Sequence, residues 1–486
     1  MFIYTKDEIR QFDKLAEERG MDDFTLMENS GAALFREITN FISHDDKICI
    51  FAGRGNNGGD GIVLARYLLQ NGYQTELVFP LGMPAEGGPS DRHWKYALAS
   101  GYSFSGGQGE ADILIDALLG IGFRYPLDEK VRDVIRKLNL QKGRKISIDI
   151  PSGVEADRGI ADQEAFQAEM TICLHGYKPS AFLLPSLKHY GKTFIADIGL
   201  PQRGKVRLWT EKEAAAALPE MDSSAHKGTF GTGYIIAGSD HMPGSALLAA
   251  KGALRSGIGK LIVGTSETAA GIIAGQIPEA TYEWDALEKA AGGELPENLK
   301  AAAIGPGLEQ NDAIEHAIQT LLQKELPIVL DAGALNQREY PQRPHPVILT
   351  PHPGEFSRMT GLTGKEVQST RLSAALNYAK ENRTIVILKG MYTILAFPDG
   401  EAIINSSGSQ ALAKGGSGDT LTGMLLAFLC THNGIKEAAA NAVYAHGRTA
   451  ELWTEKYGKR TMMASDICEL IPEVMKELEE RKRKEC

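Results

Sequence analysis

The stretch KICIFAGRGNNGGDGIVLARYLLQNG, residues 47–72, leads to the first fold prediction. Its apolar start, residues 47–53, is typical of a buried strand, and residues 61–72 have the spacing of an amphipathic helix. The glycine-rich turn between them, residues 53–61, therefore leaves a strand and opens a helix. Backbone N–H groups at such a helix start bind anions, so the turn predicts a phosphate or dinucleotide site.

A nicotinamide-dependent dehydrogenase is one interpretation of this turn. Gly53, Gly55 and Gly58 satisfy G-x-G-x-x-G, and we expect Glu76 at the end of the next strand, where an acid binds ribose. That pattern is weakly specific. Two asparagines and an aspartate inside the turn indicate polar ligation beyond phosphate binding, although such residues are also common in tight turns.

The same alternation of short apolar segments and helices continues along the chain. A capped helix is predicted from Thr5, and a second over residues 26–41. Further strands are predicted within residues 74–79, 111–120, 145–153, 233–239, 260–265, 301–307, 327–333, 346–352 and 384–390. This pattern predicts an α/β fold whose parallel sheets are covered by helices on both faces, in three αβα layers. Residues 205–224 interrupt this alternation with a short alanine-rich stretch, a proline and polar residues. We therefore predict two domains, residues 1–207 and 208–486.

Composition excludes several classes of protein. The chain has 486 residues, 43% hydrophobic and 23% charged, which is typical of a folded globular protein. Its net charge of −10 disfavours binding to nucleic acid or to an anionic membrane. The apolar run Met424–Cys430 is far shorter than the ~20 residues of a membrane span. Five scattered cysteines and a charged N-terminal segment predict a reducing, cytoplasmic location.

Two further aspartates follow predicted strands in the first half. Asp116 and Asp149 both lie where a strand ends, and Asp60 lies in the glycine-rich turn. The carboxyl ends of parallel strands meet at one crevice, so we expect the three carboxylates to share a site. Each of them alone would also suit a helix N-cap.

The segment KGGSGDTLTG, residues 414–423, is the strongest local signal in the second half. Its glycines predict an anion-binding turn before a helix over residues 420–429. Asp419 would lie beside the bound anion, where a carboxylate can take a proton from a hydroxyl that attacks a phosphoryl group. The alternative role for Asp419 is a helix cap. No G-x-x-x-x-G-K-[ST] motif is present, which excludes a P-loop enzyme.

The motifs NNGGDG, DALLGIGF and DIPSG resemble the NAD(P)H-hydrate epimerase family over nearly all of residues 1–205. The resemblance implies a Rossmann-like domain, with Asp149 as the candidate acid/base for inverting the hydrated C6 carbon. It implies that K⁺ binds the oxygen donors of Asn57, Asp116 and Ser152. It implies that the hydrated dinucleotide contacts Asn56, Asn57, Gly58, Gly59, Asp60, Gly120, Ile121, Gly122, Phe123, Arg124, Tyr125, Pro126 and Asp149.

The motifs HKGTFG, GPGL, DAGALN, TPHPGE, LKG and GSGDTLTG together resemble the NAD(P)H-hydrate dehydratase family, of ribokinase-like fold, over residues 215–486. The resemblance implies that Asp419 is catalytic and that Mg²⁺ accompanies ADP or ATP. It implies substrate contacts at Ser245, Gly307, His352 and Asp419, and ADP or AMP contacts at Lys389, Gly390, Met391, Tyr392, Thr393 and Gly418. Gly333 stands where the family often has an acidic residue, so no ligand role is assigned to it.

Together the two resemblances imply one chain that interconverts the R and S epimers of hydrated NADH and NADPH and dehydrates the S epimer, with ADP as the donor. The family also implies a homo-oligomer. The alternative is a ribokinase-like kinase of a vitamin precursor, joined to a dinucleotide-sensing domain. A non-catalytic nucleotide-binding module is a third interpretation, and it leaves Asp419 without a role.

Overall fold

The computed structural model describes residues 1–103, 111–220 and 224–485. These residues form two compact units. The first is Met1–Val206 together with Gln368–Thr370, and the second is Arg207–Val367 together with the chain from Arg371 onward. Residues 221–223, part of the predicted boundary region, lie outside the described ones.

The first unit is built on a parallel sheet with strand order β3-β2-β4-β5-β6-β7. The strands of this sheet are β2 (Lys47–Ala52), β3 (Gln74–Val78), β4 (Ile113–Ala117), β5 (Arg144–Ile148), β6 (Met170–Leu174) and β7 (Lys192–Ala196). The first unit also contains the short strand β1 (Phe2–Ile3), which is not part of this sheet. Its helices are α1 (Lys6–Glu18), α2 (Asp23–Ile38), α3 (Asn56–Gln70), α4 (Pro89–Ala99) and α5 (Glu129–Leu140).

The two faces of this sheet are buried in separate apolar clusters. Ile48 and Ile50 of β2 pack in one cluster with residues of α2 and α3. Cys49 and Phe51, which alternate with them, pack in the other cluster with residues of α5. Successive side chains of a strand point to opposite faces, so helices cover the sheet on both sides. The predicted parallel, doubly covered sheet is confirmed here.

Three local predictions in the first unit need correction. Helix α3 begins at Asn56 rather than at residue 61, because extended Gly55 caps it and the glycines after it accept helical geometry against tightly packed neighbours. Helix α2 spans Asp23–Ile38 rather than residues 26–41, because the Asp22 side chain caps its first turn. Glu76 lies in the middle of β3, paired with Cys49, and not at the strand's end. The predicted cap at Thr5 is confirmed, with Glu8 completing the capping box.

The second unit has a larger sheet, with strand order β8-β17-β16-β15-β14-β13-β12-β9-β10-β11. Its strands are β8 (Val206–Trp209), β9 (Thr232–Ile236), β10 (Lys260–Thr265), β11 (Thr281–Trp284), β12 (Ala301–Ile304), β13 (Ile328–Leu330), β14 (Ile348–Leu349), β15 (Ile385–Leu388), β16 (Ile394–Ala396) and β17 (Ala402–Asn405). Its helices are α6 (Glu211–Ala216), α7 (Pro243–Arg255), α8 (Glu267–Ile273), α9 (Ala286–Ala291), α10 (Asp312–Leu322), α11 (Pro353–Thr360), α12 (Gly364–Ser369), α13 (Arg371–Asn382), α14 (Ser417–Thr431), α15 (Ile435–Tyr457) and α16 (Ala464–Glu485).

Along this sheet, the seven neighbouring strands β11, β10, β9, β12, β13, β14 and β15 are parallel to one another. Strand β16 is antiparallel to both of its neighbours, β15 and β17. All six strands predicted in this half are present, but β8, β11, β16 and β17 were not predicted. Helix α14 begins at Ser417 rather than at residue 420, with Gly416 as its N-cap. In the described parts of the chain, no helix has both the length and the apolar character that a membrane crossing needs.

Candidate active sites

The first site forms where α3 begins beside the ends of β4 and β5. The Asn57 side chain donates to the carbonyl oxygens of Leu119, at 2.8 Å, and Ile148, at 3.4 Å. A Cβ atom at Gly58 would lie 1.9 Å from the Gly53 carbonyl oxygen, so only glycine allows this approach. The motif NNGGDG therefore brings the first turn of α3 against two strand ends.

A buried carboxylate lies at the end of β4. Asp116 is 0% exposed, and it accepts hydrogen bonds from the Ser147 hydroxyl, from Leu118 N–H and from both the N–H and the hydroxyl of Ser152. The Ser152 hydroxyl also accepts from Leu119 N–H at 2.9 Å. Burial raises the pKa of Asp116, and these hydrogen bonds oppose that rise. Asn57, Asp116 and Ser152 are therefore brought into one cluster through Leu119.

Asp149, the predicted acid/base, is held by a lysine that sequence reasoning missed. Lys178 is 0% exposed, and its ammonium donates to Asp149 Oδ1 and to the carbonyl oxygens of Leu174, at 2.9 Å, and Gly176, at 3.1 Å. Leu174 N–H also donates to Asp149 Oδ1 at 3.0 Å. The backbone of Asp149 has a φ of 65°, in the left-handed region. These contacts hold the carboxylate in one orientation at the end of β5.

Asp60 occupies a different environment from Asp149. It is buried in α3, and burial, with Asp149 and Asp13 nearby, raises its pKa well above the ordinary value. The three predicted carboxylates therefore lie at one edge of the sheet, but they are not equivalent. Asp149 has a cation as its partner, whereas burial and the neighbouring carboxylates favour the neutral form of Asp60.

The loop after β4 lies beside these groups and faces solvent. A Cβ atom at Gly120 would lie 3.2 Å from Asn57 Cβ. Tyr125 N–H donates to Glu155 at 3.0 Å, and the Tyr125 ring is exposed. The remaining loop residues with a predicted binding role are half-buried or exposed, namely Ile121, Gly122, Phe123, Arg124 and Pro126. The loop is therefore accessible to a ligand.

The second site forms around the start of α14. Gly416 has a φ of 87°, which turns the chain so that Ser417, Gly418 and Asp419 form the first helical turn. Burial raises the pKa of Asp419, while a hydrogen bond with Ser245 lowers it. A Cβ atom at Gly307 would lie 2.7 Å from Ser245 Cβ. Ser245, Gly307 and Asp419, all predicted substrate contacts, therefore lie together.

Lys389 and His352 approach the same region from neighbouring strands. Lys389 N–H donates to the Pro351 carbonyl oxygen at 2.9 Å, so the residues after β14 and β15 are in contact. His352 caps α11 through its Nδ1 atom, and its side chain is 56% exposed. Glu355, which completes the cap, lies near Lys389 and raises its pKa. The His352 ring is thus fixed at its base and accessible to a ligand.

The loop at residues 389–393 rests on a buried arginine. Arg371 donates to the carbonyl oxygens of Leu388, at 3.1 Å, and Lys389, at 3.2 Å. A Cβ atom at Gly390 would lie 2.4 Å from an Arg371 nitrogen, so the loop passes directly over the guanidinium. The Thr393 hydroxyl donates to the Gly390 carbonyl oxygen at 3.2 Å and closes the loop, on which Met391 is exposed.

Two family models match the chain. One, described as "YjeF-related protein N-terminus", matches residues 23–180, and the other, "NAD(P)H-hydrate dehydratase", matches residues 234–473. A bifunctional NAD(P)H-hydrate repair enzyme of Moorella thermoacetica is 33% identical, with 99% of this chain and 98% of that protein covered. The chain belongs to the bifunctional NAD(P)H-hydrate repair enzyme family. This result confirms the resemblance of both halves.

Two further relatives of this repair enzyme match its second unit. An ADP-dependent (S)-NAD(P)H-hydrate dehydratase of Bacillus subtilis is 51% identical, over 56% of this chain and 99% of that protein. A crystal structure of the B. subtilis ADP/ATP-dependent enzyme, co-crystallised with ATP and Mg²⁺, is 50% identical with a TM-score of 0.56, over 57% of this chain and all of that chain.

The fold predictions are also confirmed. A ribokinase-like protein of Enterococcus faecalis, 24% identical, matches 57% of this chain and 98% of its own with a TM-score of 0.51, which supports the ribokinase-like fold. The first unit, a parallel sheet between helical layers, is Rossmann-like. The Moorella thermoacetica protein and a relative of Thermofilum pendens, each matched over 99% of this chain, are both repair enzymes by name, so a kinase joined to a sensor domain is not supported.

Sequence reasoning missed three residues of these two sites in the repair enzyme: Lys178, Arg371 and Asp331, whose Oδ1 atom lies 3.0 Å from the ammonium of Lys389. Each is a charged residue in or next to an apolar segment, which is the signal that could have drawn attention to it. Their partners could not be read from the sequence, because each partner comes from another strand end or loop.

Proposed function

We propose that the chain repairs hydrated nicotinamide dinucleotides in two steps, one in each unit. The first unit would interconvert the epimers of hydrated NADH and NADPH, and the second would return the S epimer to the dihydronicotinamide with ADP. The observation that carries the proposal is a pair of glycine-rich helix starts, each with a carboxylate beside it, in a chain that belongs to the repair family.

In the first unit, Asp149 would move the protons that inversion at C6 requires. Its ion pair with Lys178 and the hydrogen bond from Leu174 N–H hold the carboxylate in a fixed orientation, as a group that transfers protons requires. Asn56 to Asp60 and the loop at residues 120–126 would hold the dinucleotide. The first group forms the N-terminal turn of α3, where backbone N–H groups can bind an anion, and the loop is accessible. A positioned acid/base group contributes about 10²–10⁴-fold in rate.

The residues around Asp116 fit a potassium ion. The Asp116 carboxylate is fully buried, and among the described residues its partners are hydroxyl and N–H groups, with no cation among them. Asn57 and Ser152 supply further oxygen atoms of the hard type that K⁺ prefers. We assign the ion to Asn57, Asp116 and Ser152, where it would neutralise the buried charge.

In the second unit, Asp419 would take the proton from the C6 hydroxyl while that oxygen attacks the terminal phosphorus of ADP. AMP leaves, and the phosphorylated intermediate then loses phosphate from C6 and a proton from the adjacent carbon. Burial raises the pKa of Asp419, which makes its carboxylate a stronger base than an ordinary aspartate. The N–H groups of Gly418 and its neighbours in the first turn of α14 would stabilise phosphoryl charge.

The other predicted contacts divide between the two ligands. Ser245, Gly307 and His352 would hold the substrate, and the loop at residues 389–393 with Gly418 would hold the nucleotide. Mg²⁺, when bound with the nucleotide, would neutralise part of the charge of its phosphates. We further propose a cytoplasmic homo-oligomer that acts on NADHX and NADPHX.

The deciding experiment follows absorbance at 340 nm with chemically hydrated NADH, Mg²⁺, K⁺ and either ADP or ATP. Recovery beyond the S-epimer fraction, faster than spontaneous epimerisation, is expected, and the more efficient nucleotide identifies the donor. Recovery that stops at the S fraction would contradict the epimerase assignment alone. No recovery with either nucleotide would contradict the repair function.

A further inference from the structure

One carboxylate in the second unit connects three elements of the proposed nucleotide site. Asp331 follows β13 and is 1% exposed. Its Oδ1 atom lies 3.0 Å from the ammonium of Lys389, and its Oδ2 atom accepts a hydrogen bond from the Thr422 hydroxyl at 2.7 Å. Lys389 follows β15, and Thr422 lies in α14. Asp331 thus joins two strand ends to the helix that carries the glycine-rich turn.

The ammonium of Lys389 points at that turn. A Cβ atom at Gly418 would lie 3.3 Å from Lys389 Nζ and 3.8 Å from Asp331 Oδ2. Within the described chain, Asp331 is the hydrogen-bond partner found for Lys389 Nζ. An ammonium has three hydrogens to donate, so Lys389 keeps donors for an anion in front of Gly418.

We propose that Asp331 is a positioning residue for phosphoryl transfer. It orients the ammonium of Lys389 toward the nucleotide phosphate and holds it next to the first turn of α14. The proposal rests on the dehydratase function proposed above. Asp331 acts through Lys389 and Thr422, and it is not proposed to touch the reacting atoms.

The charges around Lys389 make the role of Asp331 testable. Asp331, Glu355 of α11 and Asp419 of α14 face it with negative charge, and His446 of α15 lies near it. Burial alone would lower the pKa of Lys389, but these carboxylates, Asp331 first, outweigh burial and raise it. Burial alone would raise the pKa of Asp331. The charge of Lys389 and the hydrogen bonds with Lys389, Thr350 and Thr422 outweigh the effect of burial, so the pKa of Asp331 is lowered.

The main test is Asp331→Asn in the full chain, measured as ADP-dependent recovery of absorbance at 340 nm across pH. A neutral amide removes the nearest negative charge, so the basic limb of kcat/KM for ADP should move down by about 1–3 pH units. At pH values below the basic limb, the misplaced ammonium of Lys389 should lower kcat/KM for ADP by about 10²-fold. A normal kcat/KM, or a reduced one with the basic limb unmoved, would overturn the proposal.

A second variant tests the positioning without a change of charge and covers the case in which Asp331→Asn does not fold. Thr422→Val removes the hydrogen bond to Oδ2 and keeps both charges. KM for ADP should rise several-fold while the basic limb stays in place, and Thr422→Ser, which keeps the hydroxyl, should restore KM. An unchanged KM in Thr422→Val would contradict the positioning role.

Glu315→Gln is the matched control. It weakens the ion pair between Glu315 and Arg338, where the two side chains lie 2.6 Å apart on α10 and the segment after β13. Activity and the pH profile should both be unchanged in this variant, even if stability falls. Wild-type protein without ADP-dependent recovery would contradict the proposed function itself, whereas an active wild type with an unaltered Asp331→Asn would contradict only the role of Asp331.

Discussion

Each unit has a lysine–aspartate pair at the carboxyl end of its parallel strands, and the two pairs differ in which partner is free to act. Lys178 is 0% exposed and donates to Asp149 and to two backbone carbonyl oxygens. All three of its hydrogens are therefore used within the first unit, and Asp149 remains the group that can meet a substrate. In this pair the lysine supports the aspartate.

The pair in the second unit has the opposite arrangement. Asp331 is buried and accepts from both Lys389 and Thr422, whereas the Lys389 side chain is 22% exposed. The aspartate supports the lysine, which can meet a phosphate. The comparison shows that the same ion pair can present a base or a cation, depending on which partner's hydrogen-bonding capacity is satisfied by the fold.

The largest effect is expected from Lys178→Met. Removing one partner of a buried pair leaves an unpaired charge, which costs about 3–5 kcal/mol. The first unit should therefore unfold at a lower denaturant concentration, and epimerisation should be lost. Denaturant unfolding, with recovery of the R fraction at 340 nm, measures both effects. Lys188→Met, at an exposed lysine of the same unit, should change neither. A fully active Lys178→Met would contradict its support of Asp149.

Asp149→Asn tests the other side of that pair. The amide keeps the size of the side chain but cannot exchange a proton, so epimerisation should fall by about 10²–10⁴-fold. Recovery of the S fraction with ADP should stay normal and serves as the internal control. Weaker binding of the R epimer with normal turnover would mean that Asp149 only binds the substrate.

Lys389→Met tests the cation of the second pair. A hydrogen bond from an ammonium to a phosphate contributes about 1.5–3 kcal/mol, so KM for ADP should rise by about 10–100-fold. Steady-state kinetics at saturating hydrated NADH measure this change, and epimerisation should be unaffected. If KM for ADP is unchanged while only stability falls, the lysine is structural, as Lys178 is, and the contrast between the pairs is lost.

A smaller effect is expected from Gly390→Ala. The new Cβ atom would lie 2.4 Å from Arg371, so the loop that follows Lys389 must shift at a cost of about 1–3 kcal/mol. KM for ADP should rise less than in Lys389→Met. Gly364→Ala, where the space around the glycine is open, is the matched control and should behave as wild type. Unchanged kinetics in Gly390→Ala would separate this loop from the nucleotide site.

The smallest effect concerns pH. The pKa of Asp331 is lower in the folded protein than in the unfolded chain, where it is about 3.9. Its contribution to stability is therefore present above about pH 3.9 and is lost as pH falls through the pKa of the folded state. The raised pKa of Lys389 means that its contribution is present below about 10.4 and is lost as pH rises through the folded value. The difference in unfolding free energy between wild type and Asp331→Asn/Lys389→Met should therefore be flat from about pH 5 to 9. A slope near pH 7 would show that one partner titrates there.

Much of the fold followed from local patterns in the sequence. Short apolar segments predicted ten of the strands, although the parallel strands β6, β7 and β11 were not predicted. Glycine-rich segments predicted the starts of α3 and α14 to within five residues. Strand and helix periodicity, capping and chain reversal depend on neighbours in the chain, which is why they can be read from it. The antiparallel strands β16 and β17 escaped because short apolar runs carry little periodicity.

The sequence by itself determined which chemical groups are present: the carboxylates Asp149 and Asp419, the glycine turns beside them, and Lys389. Only the tertiary structure decided their partners. Lys178 lies 29 residues from Asp149, and Lys389 lies 58 residues from Asp331, so both pairs depend on strand order and register. Electrostatic state depends on burial and on such long-range neighbours, and it therefore becomes defined only when the sheets assemble.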